Sequence, residues 1–152
     1  MHKLPDRGSS MSILTDVITK VNRFLLGISN GRLGNKLGKI SVLLLHSVGR
    51  KSGKPYATPL SYYRDGENYL LVASNWGEEN PPDWFLNLMN HPDTTILVNS
   101  TTLLVQARQA EGQEYQRLWE IITRKNSIYI GYQKKMTRRI PIVILTPVSP
   151  SV

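Results

Sequence analysis

Apolar residues recur along this chain with two different periods, and the changes of period outline its elements. Between positions 12 and 28, Ile13, Leu14, Val17, Ile18, Val21, Phe24, Leu25 and Ile28 repeat at helical spacing. Asn30-Gly31 ends that helix, and Gly34 and Gly38 mark a glycine-rich linker. From residue 40 the pattern becomes strand-like. A strand over 40–47 leads through a turn to a second strand over 57–64. Asp65-Gly66 is a hairpin signal, and 68–74 is the returning strand. Residues 75–82 carry two acids and two prolines and read as a loop. Asp83 is placed to cap a short helix through Asn90, which His91-Pro92 closes. Strands at 94–99 and 102–110 form another hairpin. A helix over 112–125 puts Tyr115, Leu118, Trp119 and Ile122 on one face. A short segment then carries Tyr129 and Tyr132, and 140–148 is the last strand.

About six strands joined mostly by hairpins imply antiparallel pairing. The short helices cannot cover long sheet edges, and a small barrel disposes of those edges by closure. The fold expected is therefore mainly β with flanking helices, an α+β barrel rather than a doubly wound sheet. The chain divides into a loose polar lead-in over 1–10, the helix and linker over 11–38, and a barrel domain over 39–152.

Composition narrows the class of partner. The 152 residues suffice for one domain with a real core. No cysteine is present, so there is neither a disulfide framework nor a thiolate metal site, which fits a reducing compartment. No apolar run reaches the roughly 18–20 residues that span a bilayer. The start of the chain lacks the pattern of a secretory signal, and a cytoplasmic location is expected. The formal net charge of +8 favours anionic partners: phosphorylated cofactors, acidic lipid or nucleic acid. That charge is uneven. Residues 65–93 hold six acids and no Lys or Arg, whereas six bases and no acid follow Glu120.

The densest candidate chemistry is Gly49-Arg50-Lys51-Ser52-Gly53-Lys54, three cations and two glycines between two strands. Glycine lets backbone N–H groups approach a ligand, and Arg and Lys supply charged donors. Such a turn suits an anion, above all a phosphate. It is not a Walker loop, because a strand and not a helix follows Lys54-Pro55, and it is not the dinucleotide glycine fingerprint. Ser52 lacks the strand–turn–helix elbow of a hydrolase. His2, His46 and His91 lie far apart with no carboxylate at ligand spacing, so no metal is expected. Glu78-Glu79 reads as a solvated turn.

In this order, the residues resemble the deazaflavin-dependent nitroreductases of the flavin/deazaflavin oxidoreductase superfamily. The segments are Asn30–Gly34, Leu43–Gly53, Thr58-Pro59-Leu60, Asp65-Gly66, Val72-Ala73-Ser74, Pro82–Leu88, Asn90-His91-Pro92 and Arg139–Val143, within about residues 20–148. The resemblance implies a split β-barrel of the flavin-reductase-like, FMN-binding type. It implies coenzyme F-420, with FMN as the alternative within the superfamily. By resemblance, Arg50, Lys51, Ser52 and Gly53 hold the cofactor phosphate and Lys54 adds charge towards its tail. Thr58 and Pro59 lie against the phosphate or ribityl part. Val72, Ala73 and Ser74 floor the ring, and Trp84 and Phe85 shape the pocket.

The implied chemistry is hydride transfer to a quinone, enone or nitroaromatic, for which the protein supplies position and electrostatics. Tyr129 and Tyr132, three apart, share one face of a helical turn. They match tyrosines on the substrate side and, with Ser74, are the expected catalytic residues. Trp76 departs from the small residues common at its position and is expected to narrow the substrate pocket, which Phe85 also shapes, or to stack on the ring. Tyr56, Glu78-Glu79 and Asn126 are further departures. The helix over 12–28, with Lys20 and Arg23, can lie on the inner face of an anionic membrane, or pack on the barrel or in a homodimer. A non-catalytic basic barrel is the other reading. Its nucleic-acid version requires cations interleaved with aromatics, for which only Tyr56, Tyr62-Tyr63 and Arg64 offer themselves, and no nucleic-acid partner is expected.

Overall fold

A computed structural model describes residues 41–148. The lead-in over 1–10 and the helix and linker over 11–38 lie outside the described residues. Seven strands form one antiparallel sheet: β1 (Val42–Val48), β2 (Pro55–Ser61), β3 (Tyr63–Asp65), β4 (Asn68–Val72), β5 (Asp93–Val98), β6 (Thr101–Gln109) and β7 (Ile142–Pro147). Among the described residues, three α-helices flank it: α1 (Asp83–Asn90), α2 (Gly112–Lys125) and α3 (Ile128–Lys134).

The strand order is β2-β1-β5-β6-β7-β4-β3. Its two ends are one run of chain, because only Tyr62 separates β2 from β3. The sheet therefore curls until its edges are successive halves of one bent strand, and the fold is a split β-barrel. The sequence reads that run as a single strand over 57–64. At the bend, the Tyr62 N–H donates to the Ser41 carbonyl at 3.0 Å, one step beyond the Val42–Ser61 pair. Closure in this way leaves few unpaired strand groups, which is the reason a barrel was expected.

Alternation decides the layers. Leu43 and Leu45 of β1, Leu71 of β4, Ile96 of β5, Val105 of β6 and Val143 and Leu145 of β7 face inward as one core. Phe85 and Leu88 of α1 pack into it. The opposite faces of β4 and β7, with Leu70, Ile142 and Ile144, meet Tyr115, Leu118 and Ile122 of α2 and Tyr129 of α3. β4 and β7 are therefore buried on both faces, as their continuous apolar runs require. Fully burying each such side chain contributes about 1.5–3 kcal/mol.

Both long helices start and stop where the apolar period does, at 83–90 and 112–125. One detail differs. Pro82 occupies the N-cap of α1 and Asp83 its first turn, which frees the Asp83 carboxylate for a different partner.

Candidate active site

The Gly49–Lys54 turn is closed by two backbone bonds. Gly49 N–H donates to the Lys54 carbonyl at 2.8 Å, and Gly53 N–H to the Gly49 carbonyl at 2.9 Å. Gly53 sits at φ +70°, a conformation that glycine adopts without strain. Gly49 is needed for space: a Cβ there would collide with Ser52 Oγ and meet Tyr56 Cε2 at 3.0 Å. Ser52 Oγ accepts from the Lys54 N–H at 3.2 Å.

Asn87 of α1 fixes how the turn presents Arg50. Its buried Oδ1 accepts from the Arg50 backbone N–H at 3.1 Å and from Arg50 Nη1 at 2.9 Å. Arg50 Nη2 also reaches Asp83 Oδ1 at 3.3 Å. The first turn of α1 and the basic turn thus face each other across a cavity of about 360 Å³. Arg50, Lys51 and Ser52 rim it, Thr58 and Tyr56 of β2 form one side, and Asp83, Trp84 and Asn87 form the other. Ser47 continues the inward row Leu43, Leu45 and lines the same cavity. Its side chain is buried, and its Oγ has no hydrogen-bond partner. A buried hydroxyl without a partner costs about 1–3 kcal/mol, which a ligand acceptor or donor would recover.

The cavity brings together five expected cofactor residues: Arg50, Lys51, Ser52, Thr58 and Trp84. Gly53 and Lys54 shape the turn without lining it. Pro59 lies in β2 opposite Leu44. Phe85 is buried in the barrel core, edge-on to Trp84 at 6.3 Å. Sequence reasoning missed Ser47, Asn87 and Asp83. Ser47 carried a signal, as a polar residue on the inward parity of an otherwise apolar strand; Asn87 and Asp83 carried none.

The remaining expected residues form a second group. Ala73 is fully buried and Ser74 nearly so, after the end of β4. Asn75, Trp76 and Gly77 follow with φ of 47°, 59° and 85°. For a tryptophan, the left-handed region costs roughly 1–2 kcal/mol. Nevertheless the Trp76 side chain is 69% exposed. Tyr132 of α3 packs against Gly77, where a Cβ would approach Tyr132 Cδ1 to 3.2 Å. Tyr129 is buried; its ring meets Tyr132 edge-on at 6.3 Å, and its hydroxyl accepts from Tyr63 at 3.1 Å. Asn126 Nδ2 in turn donates to the Tyr63 hydroxyl at 3.3 Å. Burial, and then the neighbouring Tyr63 hydroxyl, push the Tyr129 hydroxyl well above the ordinary tyrosine range. Burial also raises Tyr132. Both phenols stay protonated at neutral pH and can donate a hydrogen bond.

Glu79 is exposed in the turn, as the sequence suggests, but it is also tied to the fold. Its carboxylate accepts from the Thr137 N–H and from Thr137 Oγ1. Those bonds hold its pKa below the ordinary value. The aromatic–cation cluster considered for nucleic acid is largely packed into the fold: Tyr62 lies edge-on to Tyr69 at 5.3 Å, Tyr63 bonds Tyr129, and Arg64 covers the Tyr69 ring at 4.0 Å. Among the described residues, no cluster of three or more His, Asp or Glu could hold a metal, and no helix is long and apolar enough to cross a membrane.

A family model described as F-420H(2)-dependent quinone reductase matches residues 20–147. An F-420H(2)-dependent quinone reductase of Mycobacterium tuberculosis is 41% identical over 122 residues, covering 78% of this chain and 82% of that protein. A solved structure described as an F-420-H2 dependent reductase superposes with a TM-score of 0.63 at 30% identity, covering 69% of this chain and 93% of that one. A domain-swapped dimer gives a TM-score of 0.64 at 30% identity, covering 69% and 79% respectively.

Proposed function

The chain belongs to the F-420H(2)-dependent quinone reductase family, and from that premise we propose which of its residues serve the reaction. It is an oxidoreductase that uses coenzyme F-420, so the family match decides for the deazaflavin over FMN. The observation that carries the site assignment is the cavity holding the unpartnered Ser47 hydroxyl beside the Arg50–Ser52 rim. Its donor set fits an anionic, phosphate-bearing cofactor: a guanidinium, an ammonium, two hydroxyls and the backbone of a glycine turn.

When bound, the reduced deazaflavin supplies a hydride to the quinone. Arg50 and Lys51 hold the phosphate by charge-assisted bonds, and Ser47 and Ser52 add neutral donors. Asn87 keeps Arg50 extended towards the cavity. Trp84 and Thr58 contribute one wall. On this reading the Val72-Ala73-Ser74 segment lies under the ring, and the acceptor enters on the Tyr132 side. Tyr132 donates a hydrogen bond to the carbonyl oxygen that gains charge as the quinone is reduced. Tyr129, buried and accepting from Tyr63, holds the Tyr132 ring in place. Pairing of two copies belongs to the same proposal, supported by the likeness to a domain-swapped dimer. So does contact with a membrane through the 12–28 stripe, which would bring the enzyme to lipophilic quinones.

The test is oxidation of reduced F-420 by a short-chain benzoquinone, followed by deazaflavin absorbance. Wild-type protein should turn over. Tyr132→Phe should lower kcat by about tenfold, the worth of one transition-state hydrogen bond, and leave the cofactor Kd unchanged. Equal kcat in the variant removes Tyr132 from the chemistry.

A further inference from the structure

Away from the cavity, one surface segment is bonded far more heavily than its exposure explains: Asn75–Asn80. We propose that Arg138 and Glu79 are positioning residues that lock this segment, so that Trp76 stands beside Tyr132 as the wall that selects the acceptor. The proposal rests on the reading above that the acceptor enters on the Tyr132 side.

The lock is reciprocal. Arg138 Nε donates to the Glu79 carbonyl, and Nη2 to the carbonyls of Glu78 at 3.1 Å and Asn80 at 3.4 Å. Glu79 returns its carboxylate to Thr137, the residue before Arg138. Asn75 Nδ2 closes the segment from within by donating to the Asn80 carbonyl at 2.8 Å. The fold tolerates a penalty to keep the guanidinium there, because Arg138 Nη1 is buried without a partner.

The same ties reach Tyr132. Its neighbour Gln133 donates through Nε2 to the Arg138 carbonyl at 2.8 Å and accepts at Oε1 from the Ile140 N–H at 2.9 Å. On the other side, Gly77 seats directly on the Tyr132 ring. The turn that carries Trp76 and the helix that carries Tyr132 are thus fastened to one another at Gly77 and through the 137–138 segment. Nothing in local packing explains the Trp76 side chain, which is mostly exposed on a left-handed backbone. A large flat indole kept exposed on a strained, tied backbone, one residue from the glycine that seats on Tyr132, has the form of a stacking wall for a planar, neutral ring such as a quinone.

The test compares Trp76→Gly, Arg138→Met, Arg138→Lys and the double variant Trp76→Gly with Arg138→Met, in the full chain with F-420. Trp76→Gly suits the backbone and removes only the ring. It should raise the quinone KM by about tenfold while kcat and cofactor Kd stay within about twofold. Arg138→Met should raise KM by about fivefold, and Arg138→Lys, which keeps charge without the fork, by less. The double variant should be no worse than Trp76→Gly alone, since the clamp acts through the ring. Independently of turnover, amide hydrogen exchange at Gly77 and Glu78 should be faster in Arg138→Met, or in Arg138→Lys if the first fails to fold. Three results each overturn the proposal: an unchanged KM in Trp76→Gly, additive effects in the double variant, or unchanged exchange rates. If wild-type protein does not reduce the quinone at all, the functional reading falls and this inference with it. An active wild type with an indifferent Trp76→Gly defeats the inference alone.

Discussion

The basic turn and the tyrosine side are both built from polar and aromatic groups, yet they are assembled in opposite ways. The turn is contiguous. Six successive residues supply its charges, its closure and its two glycines, and Asn87 and Asp83 of α1 hold its Arg50. The tyrosine side is scattered. Tyr63, Asn75–Asn80, Asn126–Gln133 and Thr137-Arg138 come from four segments and meet only because the sheet curls. A contiguous anion site can tolerate change in the rest of the fold, because its geometry is set by a hairpin. A scattered site can be retuned from a distance, because each segment brings its own contacts. On the proposed function, one half serves a cofactor that does not vary and the other an acceptor that does.

The contrast can be broken most forcefully at the turn. Arg50→Ala with Lys51→Ala should weaken F-420 binding by about tenfold or more, since charge-assisted bonds contribute roughly 1.5–3 kcal/mol each. Fluorescence titration of the cofactor measures it. Undiminished affinity would move the phosphate elsewhere and dissolve the division between the two halves.

The scattered half should instead show itself in stability against alkali. The Tyr129 hydroxyl keeps its proton in the folded protein above pH 10.0, its ordinary pKa, where the unfolded chain releases it. The folded state then binds the extra proton, so stability holds below that pH and falls as pH rises through it. The fall can reach about 1.4 kcal/mol per pH unit. Urea midpoints at pH 9 and pH 11 should drop further for wild type than for Tyr129→Phe. Parallel drops would mean that this phenol is not buried as described.

The smallest effect sharpens the turn itself. Asp83 holds Arg50 from an exposed position and would repel an arriving phosphate. Asp83→Asn should tighten cofactor binding about two- to threefold at low salt, with the gain lost near 0.5 M salt by screening. Weaker binding in Asp83→Asn would show that the carboxylate orients Arg50 rather than competing for it.

Much of the fold was legible because its signals are local. Helix limits at 83–90 and 112–125, the Asp65-Gly66 hairpin and the basic turn follow from period, capping and turn chemistry over a few residues. The Arg50–Ser52 rim of the cavity was legible for the same reason. Three things were not: the break at Tyr62, the partnership of Arg50 with Asn87 and Asp83, and the grip of Arg138 on the Glu78–Asn80 backbone. Each joins residues that are distant in sequence, apart from the break itself, and that break follows from barrel closure. Even Glu79, plainly visible as an acid in a loop, gave no hint of Thr137, which lies 58 positions away.

The sequence by itself determined the elements, the antiparallel pairing, the cationic turn and the family. The tertiary structure decided that one bent strand closes the barrel and that Ser47 faces a cavity. It also decided that Trp76 stands exposed, one residue before the Gly77 that seats on Tyr132. Charge and backbone propensity act over a few residues and can be read along the chain. Enclosure, orphaned donors and clamped turns exist only when distant segments meet, and their energies belong to those meetings.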